Sequence, residues 1–168
     1  VADHAELGVT IRPATDADSA AVAEIWERGW RDGHHGHVPD ELVTVRTPES
    51  FRVRAPARVG DTVVAVVDDA IAGFVMVAGD EVEQVYVARA HRGTGVAGML
   101  LSAAEQAVAI NGHQRAWLAV VDGNARARRF YERQGWIDDG PVDYPAATAG
   151  GALLVHAHRY VKPVASGT

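Results

Sequence analysis

The residues with the most chemical content are His91-Arg92-Gly93-Thr94-Gly95-Val96-Ala97-Gly98. They stand where a β-branched run, Val82–Val87, gives way to apolar residues at helical spacing, Val96–Ile110. A helix that begins there carries unsatisfied N–H groups in its first turn, and its dipole favours negative charge. Glycines at the entrance let a diphosphate approach those groups without meeting a side chain. The loop is therefore a candidate pyrophosphate cradle, the alternative being an ordinary strand-to-helix turn whose glycines serve packing.

Known phosphate loops divide this reading further. The Gly-Lys-Ser/Thr ending of a nucleoside triphosphate loop is missing, and with it the lysine and the magnesium-binding hydroxyl. Gly93, Gly95 and Gly98 do satisfy the dinucleotide GxGxxG spacing, and Asp122 ends the next apolar run, where a ribose-binding acid is expected. That motif follows its strand directly in a parallel unit, whereas Ala88–Arg92 intervene here and the preceding strands read as a meander. The context disfavours an NAD(P) site. His34, His35 and His37 are closely spaced, but no helical i, i+4 pair or nearby set of acids accompanies them, and zinc needs three or four convergent ligands. No metal is expected.

The elements that must position these residues follow from periodicity. Val1–Gly8 has little pattern and reads as a loose terminus. Val9 and Ile11 alternate with polar residues up to Pro13, a short strand. Thr15 or Asp16 caps a helix with Val22, Ile25 and Trp26 on one face, expected to end before Gly29. Arg31–Thr47 reads as a loop with at most a short helical turn. Pro48 opens a short helix to about Pro56, with Phe51 inward and arginines on its polar sides. Thr62–Val67, Ile71–Ala78 and Val82–Val87, separated by Asp68-Asp69 and Gly79-Asp80, read as an antiparallel meander. Val96, Met99, Leu100, Ala103, Ala107 and Ile110 mark a helix stopped by Asn111-Gly112. Ala116–Val121 is a strand, Asn124 caps a helix over Ala125–Gln134, and Trp136-Ile137 starts a strand before a long loop, Asp139–Gly151. Leu153–Val161 closes the sheet.

The chain has 168 residues, 48% hydrophobic and 23% charged, which suits one globular domain spanning 1–168 with its core at about 9–162. The absence of cysteine excludes disulfides, thiolate zinc and a cysteine nucleophile, and is compatible with a reducing compartment. No apolar stretch reaches the ~18 residues of a membrane span, and the acidic start does not look like a signal peptide. A soluble cytoplasmic protein is expected, without membrane partners. A net charge of -6 argues against nucleic acid and mildly favours a cationic small substrate.

Arg92, Gly95 and Ala97 match the pattern Arg/Gln-x-x-Gly-x-Gly/Ala, and here the chain resembles the GNAT superfamily of acetyl-CoA-dependent N-acetyltransferases. The strand Glu83-Gln84-Val85-Tyr86-Val87, then Met99-Leu100-Leu101, Asn124, Ala127, Phe130-Tyr131-Glu132 and Gly135-Trp136 look like the family's pattern too. The resemblance covers about Val9–Lys162 and is specific between about Glu81 and Trp136. It implies an α/β (α+β) fold with a mixed, mainly antiparallel central sheet of about six to seven strands flanked by about four helices.

The resemblance also implies roles. Backbone amides of Arg92, Gly93, Thr94, Gly95, Val96 and Ala97 would bind the pyrophosphate of acetyl-CoA. Val85, Tyr86 and Val87 would pair backbone groups with its pantetheine arm, as an added strand would. Tyr131 resembles the general acid that protonates the leaving sulfur; its alternative is a half-buried helix position beside Phe130. Asn124 either binds the coenzyme or only caps its helix. Glu81 and Glu83, placed by period-two alternation on one strand face with Val85 and Val87, are candidate bases, alignment slightly favouring Glu81; the alternative is a pair of solvated charges. Trp30, His34, His35 and His37 fall where the family builds its acceptor pocket, and His158, on one face of the last strand with His156 and Tyr160, either lines that pocket or faces solvent. The implied activity is direct transfer of an acetyl group from acetyl-CoA to a primary amine, of a small molecule or a peptide. The competing class is a coenzyme-binding module without turnover. Homodimerisation is left open.

Overall fold

The β-branched runs assemble into one seven-stranded sheet in a computed structural model that describes residues 8–164. The expectation for Val1–Gly8 falls, Gly8 apart, outside the described residues. The sheet comprises β1 (Val9–Pro13), β2 (Thr62–Val67), β3 (Ala70–Ala78), β4 (Glu81–Val87), β5 (Arg115–Val121), β6 (Ile137–Thr148) and β7 (Gly151–Pro163), in the spatial order β1-β2-β3-β4-β5-β7-β6. β2, β3 and β4 form the expected antiparallel meander, and β1 pairs antiparallel with β2. Asp68 and Asp69 turn the β2–β3 hairpin with positive φ values of 50° and 62°, which matches the right-handed twist of the flanking strands.

Two stretches differ from the reading of the sequence. Asp139–Gly151 is not a loop. Most of it belongs to β6, which pairs with β7 from Ile137 to Thr148. Pro141 and Pro145 obscured the strand, yet β6 is the outermost strand, where a residue without an N–H removes no ladder bond. The first helix does not stop at Gly29 either. α1 runs from Ser19 to His34, and Gly29 is buried within it because the Tyr86 ring lies against its backbone: a Cβ there would sit 2.3 Å from Tyr86 Cδ1.

The remaining helices are α2 (Asp40–Val45), α3 (Pro48–Ala57), α4 (Val96–Ile110) and α5 (Ala125–Arg133). Thr47 accepts from the Ser50 N–H at 3.2 Å to cap α3, with Pro48 at the first helical position, where its missing donor costs nothing. Asp18 sits just before α1. It takes two bonds from Arg12 at 2.7 and 3.0 Å and one from the Thr15 N–H at 2.8 Å, tying β1 to the start of the helix. The Arg12 hydrogen bonds hold its carboxyl down at about 2.

Helices cover both faces of the sheet, and each face has its own core. α4 packs Val96, Leu100, Leu101, Ala104 and Val108 against one face with Val75, Val82 and Leu118. On the other, α1 and α3 bury Trp26, Trp30 and Phe51 against Phe74 and Met76. Each fully buried large side chain contributes about 1.5–3 kcal/mol by leaving water. Two such layers fix the central strands, β4 and β5, against which the site is built.

Candidate active site

Among the described residues β4 and β5 are the only neighbouring strands that run parallel, and they share a single register pair, Glu81 with Trp117. The Trp117 N–H donates to the Asp80 carbonyl at 3.1 Å and its indole N–H to the Asp80 carboxylate at 3.0 Å, closing the strands at that end. Beyond it they part. The backbone groups of β4 that face β5 then have no strand partner, a state that a chain bearing amides can relieve.

A second irregularity sits in the same strand. Met76 pairs with Gln84 but Val77 with Val82, so Glu83 is an extra, bulged residue. The bulge breaks the alternation read from sequence. Val82, Val85 and Val87 all pack toward α4, whereas Tyr86 packs toward α1. Glu81 and Glu83 therefore do not share the face of Val85 and Val87; Glu81, adjacent to Val82, points to the opposite side.

At the open end, β4 leads through a 3-10 turn, Arg89–His91, to the glycine loop. Gly93 and Gly95 have φ values of 76° and 91°, a left-handed backbone that favours glycine. Among the described residues none of the amides from Gly93 to Gly98 donates to a protein carbonyl, and α4 begins at Val96. Thr94 hydrogen-bonds the His91 carbonyl, and Arg92 binds Asp32 of α1 at 2.9 Å, so the loop is anchored through side chains while its N–H groups stay open. The intervening turn separates loop and strand as the dinucleotide motif does not. Asp122, the acid that made the motif plausible, lies 3.6 Å from His158 instead.

Between the parted strands lies a cavity of about 300 Å³. Its lining includes Glu81, Glu83, Val85, Tyr86, Asn124 and Tyr131 of the sequence-derived set, with Trp30 and His34 on the α1 side. Tyr131, on α5, packs against Phe130, Trp136 and Tyr160, and its hydroxyl has no hydrogen-bond partner among the described residues. Burial pushes that hydroxyl further above its ordinary range, so it stays protonated. Asn124 caps α5 by accepting from the Ala127 N–H at 3.2 Å, and its amide nitrogen faces Gly33 of α1. Burial raises the carboxyl of Glu81, which accepts from the Tyr144 hydroxyl at 2.5 Å. Glu83 is ion-paired to Arg58 at 2.7 Å. His34 stacks on Trp30 with ring centres 4.8 Å apart and donates through Nδ1 to the Trp30 carbonyl; burial lowers it to about 4, so the ring is neutral near pH 7.

The other histidines lie elsewhere. His35 and His37 are exposed and outside the cavity lining, the His37 ring resting on Gly123. His158 is held by Asp138 at 2.9 Å, also outside the lining. Conversely, Tyr144 and three arginines, Arg46, Arg54 and Arg58, line the cavity and were not singled out from sequence. One signal was available: Phe51, Arg54, Ala55 and Arg58 fall at i, i+3, i+4 and i+7, so two of the arginines share the buried face and only Arg52 points away. Arg54 accordingly lies over Trp26, 4.3 Å from its ring centre.

The sequence model of the acetyltransferase (GNAT) family matches residues 20–136. The chain belongs to that family, and is an acyltransferase that uses acetyl-CoA. Solved structures share the fold. A GCN5-related N-acetyltransferase from Rhodopseudomonas palustris aligns with TM-score 0.71 and 19% identity over 92% of this chain and 95% of its own. The PaiA N-acetyltransferase of Thermoplasma acidophilum, in complex with coenzyme A, has TM-score 0.71 and 17% identity over 92% and 98%. The putative acetyltransferase YncA of Salmonella typhimurium, with acetyl-CoA, has TM-score 0.67 and 20% identity over 95% and 96%. No curated protein sequence matches.

Proposed function

We propose that the chain transfers the acetyl group directly to a primary amine, with Glu81 as the base and Tyr131 as the acid. The observation that carries this reading is that a half-buried carboxylate and a protonated phenol line one cavity between the parted strands, while the helix start that follows β4 keeps its amides open. Acetyl-CoA supplies a thioester: a C–N bond forms to the acceptor, the C–S bond breaks, and the coenzyme leaves as a thiol.

The chain's own residues meet each requirement of that exchange. An alkyl amine with a pKa of about 10.4 arrives protonated and must lose a proton before it attacks. Burial raises the carboxyl of Glu81, making it a better proton acceptor, and Tyr144 orients it through Oε2 while Oε1 remains for the amine or a bridging water. Glu83, paired to Arg58, serves to hold that arginine. Tyr131 keeps its proton until a thiolate needs one. The Arg92 amide, expected in the cradle, is taken by the Arg89 carbonyl at 3.3 Å; the amides of Gly93, Thr94, Gly95, Val96 and Ala97 would grip the pyrophosphate, the backbone of Val85, Tyr86 and Val87 the pantetheine arm, and Asn124 the arm's inner end. Trp30 and His34 would contact the acceptor; His35, His37 and His158 receive no role. Holding both reactants in line supplies much of the rate, up to about 7–11 kcal/mol.

The test is release of free coenzyme thiol across a panel of amines, with the N-acetyl product identified by mass. Glu81→Gln should lower kcat/KM and remove the acidic limb of its pH profile, while acetyl-CoA affinity stays within a few-fold. Turnover by no amine, with acetyl-CoA still bound, would sink this reading.

A further inference from the structure

The acceptor side of the cavity is charged in a way the whole chain is not. The net charge of the chain is -6, yet three guanidinium groups, Arg46, Arg54 and Arg58, line the cavity against two carboxylates, Glu81 and Glu83. Arg58 is paired to Glu83 at 2.7 Å and to Asp61 at 3.0 Å. Glu81 is held by Tyr144. Arg46 and Arg54 are left, and among the described residues neither has a carboxylate in ion-pairing range. Arg46 is only 6% exposed and its guanidinium bonds the Ala147 carbonyl alone. Arg54 rests 4.3 Å from the Trp26 ring centre and 5.7 Å from that of Phe51, and its Nη1 is shielded from solvent without a hydrogen-bond partner.

Withdrawing two neighbouring cations from water with no counter-ion is costly, and the aromatic faces under Arg54 recover only about 0.5–2 kcal/mol of it. Burial lowers the pKa of both, that of Arg54 to about 10, with repulsion from Arg46 as a further cause. Such an arrangement is relieved when the missing anion arrives with a ligand, and a planar guanidinium fits a carboxylate through two parallel hydrogen bonds. The same pair repels polyamines and aminoglycosides, whose additional cationic groups would have to enter beside it. The local charge thus reverses the preference suggested by the overall charge.

We propose that the acceptor is a free amino acid, its carboxylate bound by Arg46 and Arg54 and its amine presented to Glu81. This inference rests on the acetyl-transfer reading and names the substrate class of the same site. It excludes peptide N-termini and protein lysines, whose own α-carboxyl groups are tied up in peptide bonds.

The experiment compares each of the common amino acids with its decarboxylated amine and its α-amide as acceptors, following coenzyme thiol release. For the best acceptor, kcat/KM should favour the acid by at least about 100-fold over both analogues, since a site built for a polar group rejects the molecule lacking it. Arg54→Gln and Arg46→Gln should each shrink that preference to within a few-fold, mainly through KM, and Arg54→Lys should restore part of it. Circular dichroism and acetyl-CoA calorimetry identify a variant that has simply misfolded, and the comparison on the unaltered protein needs no variant. Amines or amides used as well as acids, or a preference that survives both glutamine substitutions in folded protein, would overturn the inference. If no amine is acetylated, the transfer reading fails on its own. Calorimetry on the coenzyme A-bound protein then decides this one: amino acids binding more tightly than their amines supports it, and equal or absent binding overturns it.

Discussion

The two halves of the cavity are built on different principles. The coenzyme half, from β4 through α5, works through backbone: parted strands, open amides and a helix start, with Tyr131 as its main reactive side chain. The acceptor half works through groups brought from α1, α2, α3 and the β6–β7 hairpin, segments far apart in sequence, as in the bond from Arg46 to the Ala147 carbonyl 101 residues on. A backbone site needs only a conformation, so it leaves a compact trace of glycines and caps in the sequence. A side-chain site assembled from distant segments leaves no such trace.

Substitutions in either half sharpen the contrast. The largest effect is expected for Tyr131→Phe, which removes the acid and should cut kcat by about 100- to 10,000-fold with little change in acetyl-CoA affinity; single-turnover kinetics with calorimetry would separate the two, and unaltered kcat would remove Tyr131 from its role. Gly95→Val forces a β-branched residue to a φ of 91°, at a cost of about 1–3 kcal/mol. The loop would give way first, so acetyl-CoA should bind at least about tenfold more weakly while the melting temperature moves little. Gly29→Ala acts on the wall between the halves. Its methyl would meet the Tyr86 ring, and the clash of about 1–3 kcal/mol outweighs the gain in helix propensity of about 1 kcal/mol. A lower melting temperature and a raised acceptor KM are expected.

The smallest effect on turnover is expected at Asp18, which ties β1 to the start of α1 and acts on the stability of the fold. Its folded carboxyl sits at about 2 against an ordinary 3.8, so the folded state binds fewer protons than the unfolded one in that interval. Its stabilisation is present in full above 3.8 and is lost as the pH falls through about 2. Asp18→Asn should flatten the acid limb of a denaturation curve measured over that window; an unchanged limb would place the acid sensitivity elsewhere.

The same division explains what could be read in advance. The meander, α4, the Asn124 cap and the glycine loop follow local rules of alternation, helical spacing and left-handed turns, and all were legible. β6 was missed because prolines are harmless only on an edge, and being an edge is a property of the whole sheet. The facing of Glu81 was misjudged because a bulge at Glu83 depends on register with β3, which no single strand records. Arg54 was placed on a polar side because its charge outweighed its position between Phe51 and Arg58 on the inward stripe. The histidine cluster at 34, 35 and 37 drew attention through residue type, yet only His34, the last residue of α1, reaches the cavity.

The β6–β7 hairpin lines the acceptor half and is hydrogen-bonded to it from Tyr144 to Glu81 and from the Ala147 carbonyl to Arg46, while the donor's cradle lies on other elements. Lengthening, shortening or replacing the outer part of that hairpin would thus retune which molecule is acetylated and leave the machinery for activating the thioester in place. Selectivity and thioester activation in this chain sit on different segments, and a hairpin graft that keeps Tyr144 over Glu81 is the unit by which one would be exchanged without the other.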